Sequence, residues 1–533
     1  MLLVLITALT AVQASSVSAA VFQWRLAITT EKGQSSAYLW VPAQAERIRG
    51  VIMAGMTLME REFAADAVIR AACAEQKLAI VFLKCGLGAV DIQQVLDEFA
   101  KVSGYQELKT APLMFVGHSA GGPQARACAA KMASRCFGLV QYRGGGPWGE
   151  PPVPPDVPTL MMVGQFDEFG GVMRDETGRE GAWETPRDGL AAFRAADERN
   201  LASMVVEPGA GHFAWSERNA IYLAMFIRKA ASAMIPQTAQ PDAAQPPRLR
   251  PIDFRTGWLS DLNLRAGANS ARPAPWADYT GDKARANWHF DKEMAEATVR
   301  YHVGLDKKDQ FIKWEDPCWV DAGTRYYFTN VKWVGDGQTF EVHPVYADRY
   351  PATRPSGGGP KWHAAGQPVG HSSAPIRVNR VGGPVVATGP NTLRIKFDEL
   401  APATEGGRVT FMAYSEGDDE YRYTEQVGML PRGFSGFKAG ADQAIAFDPI
   451  GDLRADGGSV ELKARSDAGL PVEYHVAWGP AVVENGRLKI AELPVRAVYP
   501  IEVRIVAYQF GRGIAPLVKT AQPVEQTIMV KKP

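Results

Sequence analysis

The chain has 533 residues, 58 basic and 58 acidic side chains, a formal net charge of zero and a hydrophobic share of 46%. This length exceeds the usual single domain and predicts about two to four of them. The even charge balance describes ordinary globular material and gives no footing for nucleic acid or an anionic membrane as partner.

Residues 1–20 run from an apolar core, Leu2 to Val12, into small residues ending Ser18-Ala19-Ala20. This is the shape of a secretory signal with its cleavage site, although no Lys or Arg precedes the apolar run. The expected location is therefore secreted or periplasmic. No later stretch is apolar for long enough to span a membrane.

From Val21 the pattern alternates. Phe22 to Thr30 and Ser36 to Pro42 read as a hairpin turning at Lys32-Gly33-Gln34, and Arg49 to Gly55 as a short buried strand. Glu62 to Gln76 has helical spacing, Leu78 to Leu83 is a buried strand, and Val90 to Val102 is a second helix. Next comes Leu113-Met114-Phe115-Val116, a buried strand that runs into Gly117-His118-Ser119-Ala120-Gly121 and a helix from Gln124 to Met132. A G-x-S-x-G between strand and helix is a nucleophile elbow: the serine sits on a strained turn, and its neighbours must be small for the backbone to pass. Pro123 suits a first helical turn, whose amides have no partner within the helix. Phe137 to Tyr142 and Thr159 to Val163 are strands, Arg187 to Asn200 a helix, Ala202 to Glu207 a strand and Ser216 to Ala231 a closing helix. Strands separated by helix-length segments predict an α/β fold, a doubly wound and mostly parallel sheet covered on both faces.

A serine nucleophile needs a base within hydrogen-bond reach and a carboxylate to orient that base. Between Val21 and the Pro-rich stretch near 240 there are two histidines, His118 and His212. His118 lies inside the elbow and cannot easily turn back onto the neighbouring hydroxyl. His212 lies in the glycine-rich loop after the last apolar strand, so it is the expected base. Asp167 ends the strand from Thr159, and gives the order Ser, Asp, His expected of this fold. Glu168, Asp175 and Glu176 are its competitors. Two amides should face the oxyanion, one from Ala120 and one from Met56 or Thr57 in the loop after Gly55.

On these motifs residues 21–235 resemble an α/β-hydrolase catalytic domain of the secreted esterase, dienelactone-hydrolase and polyester-depolymerase kind. The resemblance implies a serine esterase that works through an acyl-enzyme with no metal and no organic cofactor, carried by Ser119, Asp167 and His212. The loop Gln141 to Trp148 follows a strand on the same rim, which makes Arg143 and Trp148 candidates for substrate binding. Glu168 to Pro186, with Phe169, Gly170, Gly171 and Trp183, is long for a strand-to-helix connection and reads either as a lid or as a surface loop.

Residues 236–251, rich in Pro, Ala and Gln, read as an extended linker. In 252–444 one helix, Lys283 to Tyr301, is followed by short strands between Gly- and Pro-rich turns, the pattern of a β-sandwich. Its tryptophans, Trp288, Trp314, Trp319, Trp333 and Trp362, are core fillers or a platform for sugar rings. His289, Asp291, His363 and His371 have no metal-ligand spacing. Residues 445–533 carry GLPV at 469–472, GPA at 479–481 and Gly486-Arg487-Leu488-Lys489-Ile490, and resemble a bacterial immunoglobulin-like repeat. That likeness implies an accessory or spacer role. The five cysteines are an odd number; Cys128 with Cys136 and Cys73 with Cys85 are conceivable bridges, or all five are small apolar fillers. The expected partner is a small-molecule or polymeric ester, carbohydrate among the candidates. A serine peptidase on the same scaffold and a non-catalytic surface-binding protein are the alternatives.

Overall fold

The computed structural model describes residues 22–55, 58–169, 173–237, 245–262, 271–315, 331–351, 362–397, 409–430, 434 and 436–533. The proposed signal segment, Gly170, Gly171 and Trp319 lie outside these residues, as do Met56 and Thr57.

The first part is one eight-stranded sheet. Its strands are β1 (Trp24–Thr30), β2 (Gly33–Trp40), β3 (Gly50–Gly55), β4 (Leu78–Leu83), β5 (Leu113–His118), β6 (Cys136–Tyr142), β7 (Thr159–Gly164) and β8 (Ala202–Glu207), in the order β1-β2-β4-β3-β5-β6-β7-β8. β1 and β2 are antiparallel to their neighbours, and all pairings from β4 to β8 are parallel. Period-two alternation sends neighbouring side chains to opposite faces. Ile52 and Ala54 enter one core with α2 (Ala67–Glu75) and α6 (Glu217–Met234); Val51 and Met53 enter the other with α3 (Ile92–Ser103) and α4 (Gly121–Lys131). This is the doubly wound, mostly parallel arrangement of the α/β-hydrolase fold.

Local chemistry sets several boundaries that periodicity did not. The single helix expected over 62–76 is two, α1 (Leu58–Ala65) and α2, because Asp66 is extended and its carboxylate accepts from the amides of Val68 and Ile69. Asp91 caps α3 in the same way. The helix expected from Arg187 is α5 (Gly181–Ala196), which begins earlier with Pro186 inside it. The helix expected from Lys283 is shorter: Asn287–His289 is a strand, and Asp291 caps α7 (Lys292–His302).

Leu249 and Arg250 of the expected linker lie against the first part. Leu249 packs on the core beneath α6, and the Arg250 amide donates to the Met234 carbonyl at 2.8 Å. Beyond α7 the elements are short antiparallel strands. Arg377–Gly382, Thr410–Ser415 and Thr424–Met429 form one sheet, whose Met412, Val427 and Met429 join the core of α2 and α6. At the C-terminus Leu453–Arg454, Val524–Lys531, Ile501–Tyr508 and Glu473–Trp478 make one sheet, and Val460–Glu461, Arg487–Ile490 and Ala481–Glu484 a second. Leu488, Val503, Ile505 and Ile528 are buried, in the manner of a β-sandwich, within the core that also holds α3. The Gly479 amide donates to the Phe22 carbonyl at 2.7 Å and the Val495 amide to that of Ala43 at 3.1 Å, so this last part is seated on the first strands.

Trp288, Trp314 and Trp362 are buried as core fillers; the Trp288 indole donates to the Phe254 carbonyl and the Trp314 indole to that of Val427. The four described cysteines are unpaired. Burial pushes the Cys128 thiol up to about 11 and the Cys136 thiol up to about 12, which keeps both protonated and unreactive. No helix among the described residues is long and apolar enough to cross a membrane.

Candidate functional site

At the end of β5 the backbone of Ser119 enters the left-handed region at φ 52°, a conformation that a non-glycine residue adopts only when its surroundings impose it. The surroundings here are tight. The Ser119 amide donates to the Tyr142 carbonyl at 3.1 Å, and a Cβ added at Gly117 would lie 2.2 Å from the Gly121 carbonyl oxygen. Ala120 is the first residue before α4, where amides have no partner within the helix. The second amide donor was expected from Met56 or Thr57, outside the described residues.

Asp167 follows β7 and His212 follows β8, and the two side chains meet. His212 Nδ1 lies 2.8 Å from Asp167 Oδ2, and the other carboxylate oxygen accepts from the Phe169 amide at 2.9 Å. Burial alone would raise the Asp167 carboxyl; the bond and charge of His212, the Phe169 amide and the Arg143 guanidinium outweigh it and hold the group below the usual carboxylate range. With an ionised acceptor at Nδ1, the ring proton sits there and Nε2 carries the lone pair. Nε2 is buried and has no hydrogen-bond partner among the described residues.

His118 does something else. Its Nε2 lies 3.0 Å from the His212 carbonyl oxygen, so it donates a proton there. Burial first, then the neighbouring His212, hold its ring well below the ordinary histidine value and therefore neutral. Phe169 is 51% exposed, with its ring centroid 4.5 Å from that of His212, and Phe213 stands edge-on at 4.7 Å.

The two residues expected to bind substrate are placed differently from one another. Trp148 is 36% exposed and packs over Gly146 and Gly189. Arg143 is buried: its guanidinium is bonded to the Glu207 carboxylate and the Gly211 carbonyl, with Glu425 at 3.8 Å. Arg218 also reaches Glu207, at 3.1 Å.

Four carboxylates about the site carry no local sequence signal of their role. Glu60 accepts from the His118 amide at 2.6 Å and braces the elbow. Glu168, weighed against Asp167 as the acid, instead accepts from the His212 amide at 2.7 Å. Glu207 neutralises Arg143, and Glu425 accepts from the Gly211 amide at 2.8 Å. A cavity of about 690 Å³ opens between α6, α7 and the sheet containing Thr410–Ser415; Trp215, Arg218, Arg300, Tyr301, Arg377 and Tyr414 are among its walls. Among the described residues no group of three or more His, Cys, Asp or Glu side chains is placed to hold a metal ion.

No protein-family model and no curated protein matches the chain. Among solved structures it is similar to the esterase domain of a Rhodothermus marinus protein, at 14% identity over 38% of this chain and 96% of that one, with a TM-score of 0.27. It is also similar to an alpha-beta serine hydrolase homologue from Coxiella burnetii, at 17% identity over 39% and 97% with a TM-score of 0.26. An S-formylglutathione hydrolase from Staphylococcus aureus stands at 11% identity over 39% and 96%, with a TM-score of 0.26. These values are too low to carry an argument about activity, which rests on the geometry.

Proposed function

We propose that the protein is a serine hydrolase of carboxylic esters, with Ser119 as nucleophile, His212 as general base and Asp167 as the acid that orients it. One observation carries the reading: a buried His212 ring with Nδ1 held by Asp167 and an Nε2 without a partner among the described residues, on a sheet edge it shares with a serine at φ 52°. In the reaction, Nε2 takes the Ser119 hydroxyl proton as Oγ bonds to the ester carbon. The carbonyl electron pair moves onto oxygen, where the Ala120 amide and one from Met56 or Thr57 stabilise it. Collapse expels the alcohol, which leaves with the proton from Nε2, and water repeats the sequence on the acyl-enzyme. His118 takes no part as base, because its Nε2 proton is committed to the His212 carbonyl.

Phe169 and Trp148, both exposed at the rim, are the proposed substrate contacts. Arg143, being buried, is proposed to serve the loop rather than the ligand. A secreted enzyme acting on an external ester-bearing polymer, polysaccharide included, accords with the signal-like start and the trailing β-rich parts, the last of them an immunoglobulin-like spacer.

Ser119→Ala should leave folding intact and lower turnover of a short-chain p-nitrophenyl ester by about 10³-fold or more. Wild-type turnover in that variant would overturn the assignment. A panel of acetylated xylan, feruloylated sugars, aliphatic polyesters and peptide amides, with the variant as blank, identifies the acyl and alcohol groups and separates esterase from peptidase.

A further inference from the structure

We propose that Glu425, on the accessory strand Thr424–Met429, is a positioning residue for catalysis that fixes the His212 loop through the Gly211 amide. This rests on the reading of His212 as the base.

The loop Pro208-Gly209-Ala210-Gly211 has almost no side chains with which to hold itself. Glycine backbone is entropically expensive to order, so a base carried on it must be restrained from outside. The restraints are complete at the residues that matter. The Gly211 amide donates to Glu425 at 2.8 Å and its carbonyl accepts from Arg143; the His212 amide donates to Glu168 at 2.7 Å and its carbonyl accepts from His118 at 3.0 Å. Three of these four partners belong to the hydrolase sheet and its loops. Glu425 alone comes from elsewhere, 214 positions along the chain from Gly211.

The contact is close as well as polar. A Cβ added at Gly209 would lie 1.8 Å from the Tyr423 carbonyl oxygen, so the loop and the accessory strand abut directly. The Glu425 side chain is buried, and its second oxygen accepts from the Tyr423 hydroxyl at 2.7 Å. Arg143 and Glu207 face it from the sheet, and Glu168 faces it across Gly211. Burial, and then Glu207, push its carboxyl up to about 7 against the pull of Arg143 and the Gly211 amide. A carboxyl in such a setting is a costly way to fill space, and its geometric work is on the loop. Displacing a catalytic group by about 1 Å can cost about 10²-fold in rate, so a loop restraint one residue from the base is a rate-setting contact.

The test compares Glu425→Ala, Glu425→Asp and Glu425→Gln in the full chain, using a fluorophosphonate to count competent serines and ester turnover per counted site. Glu425→Gln keeps an oxygen at the same reach and should retain wild-type turnover. Glu425→Ala and Glu425→Asp, which withdraw the acceptor, should lose about 10- to 100-fold in kcat per site with KM unchanged. A merely structural role would lower the number of sites and leave the rate of each unaltered. Wild-type kcat per site in the Asp and Ala variants overturns the proposal; if the Ala variant does not fold, Asp against Gln decides. An active Ser119→Ala protein would remove the underlying reading as well, whereas an inactive one beside a fully active Glu425→Asp removes only this inference.

Discussion

A single ionised oxygen decides which nitrogen of His212 carries its proton. Replacing Asp167 by Asn presents an amide that can donate as well as accept, so the ring can adopt the opposite tautomer and offer N–H instead of a lone pair to the serine. Asp167→Asn should therefore lower kcat by about 10²- to 10⁴-fold while KM and the fold persist, measured by steady-state ester kinetics and circular dichroism. An unchanged kcat would exclude Asp167 as the orienting acid. Ser119, Asp167 and His212 were legible as candidates because each lies where a buried strand ends, a feature written in a few adjacent residues. The braces behind them were not. Glu60 and Glu168 gain their roles from which amide the fold brings near, and Arg143 looks like a rim cation until Glu207 is found beside it.

Among the elements, the sheet strands matched the apolar runs closely, since continuous burial on two faces leaves a strong local pattern. The breaks were harder to see. Asp66 divides one apparent helix into two by capping, which competes locally with a hydrophobic stripe that continues through it. The accessory strands are two to six residues long in 258–430, too short for alternation to set their ends. The meeting of the His212 loop with the strand at Tyr423 is a contact between elements, invisible in either alone. Gly209 has φ 68° there, and a methyl group would strike the Tyr423 carbonyl. Gly209→Ala should cost at least about 1–3 kcal/mol, read as a lowered Tm, and should lower ester turnover as well. A variant with unchanged Tm would mean that loop and strand can part freely.

For the molecule as a whole, acid is the natural probe. Burial holds His289 and His302 down to about 3 and His118 well below its ordinary value, so all three are neutral in the fold. The unfolded chain takes up their protons as the pH falls below about 6.5, so their stabilising contribution is lost on acidification, up to about 1.4 kcal/mol per pH unit for each. Glu425 opposes them, since a raised carboxyl favours the fold at low pH and loses that advantage between its unfolded value and about 7. Three histidines outweigh one glutamate, and Tm should fall as the pH drops from 6.5 to 4.5. A flat or rising Tm over that interval would show that these rings are protonated in the folded protein.

The seating of the last residues on the first ones bears on how the protein is made. The Phe22 carbonyl finds its amide partner in Gly479, and the Gly211 amide finds its carboxylate in Glu425, so residues flanking both edges of the eight-stranded sheet are held from far along the chain. A polypeptide emerging from the ribosome would possess its serine, aspartate and histidine long before the strands that steady them. On the positioning role proposed for Glu425, a growing chain halted before residue 425 would carry all three side chains and work about 10- to 100-fold more slowly than one that has passed it.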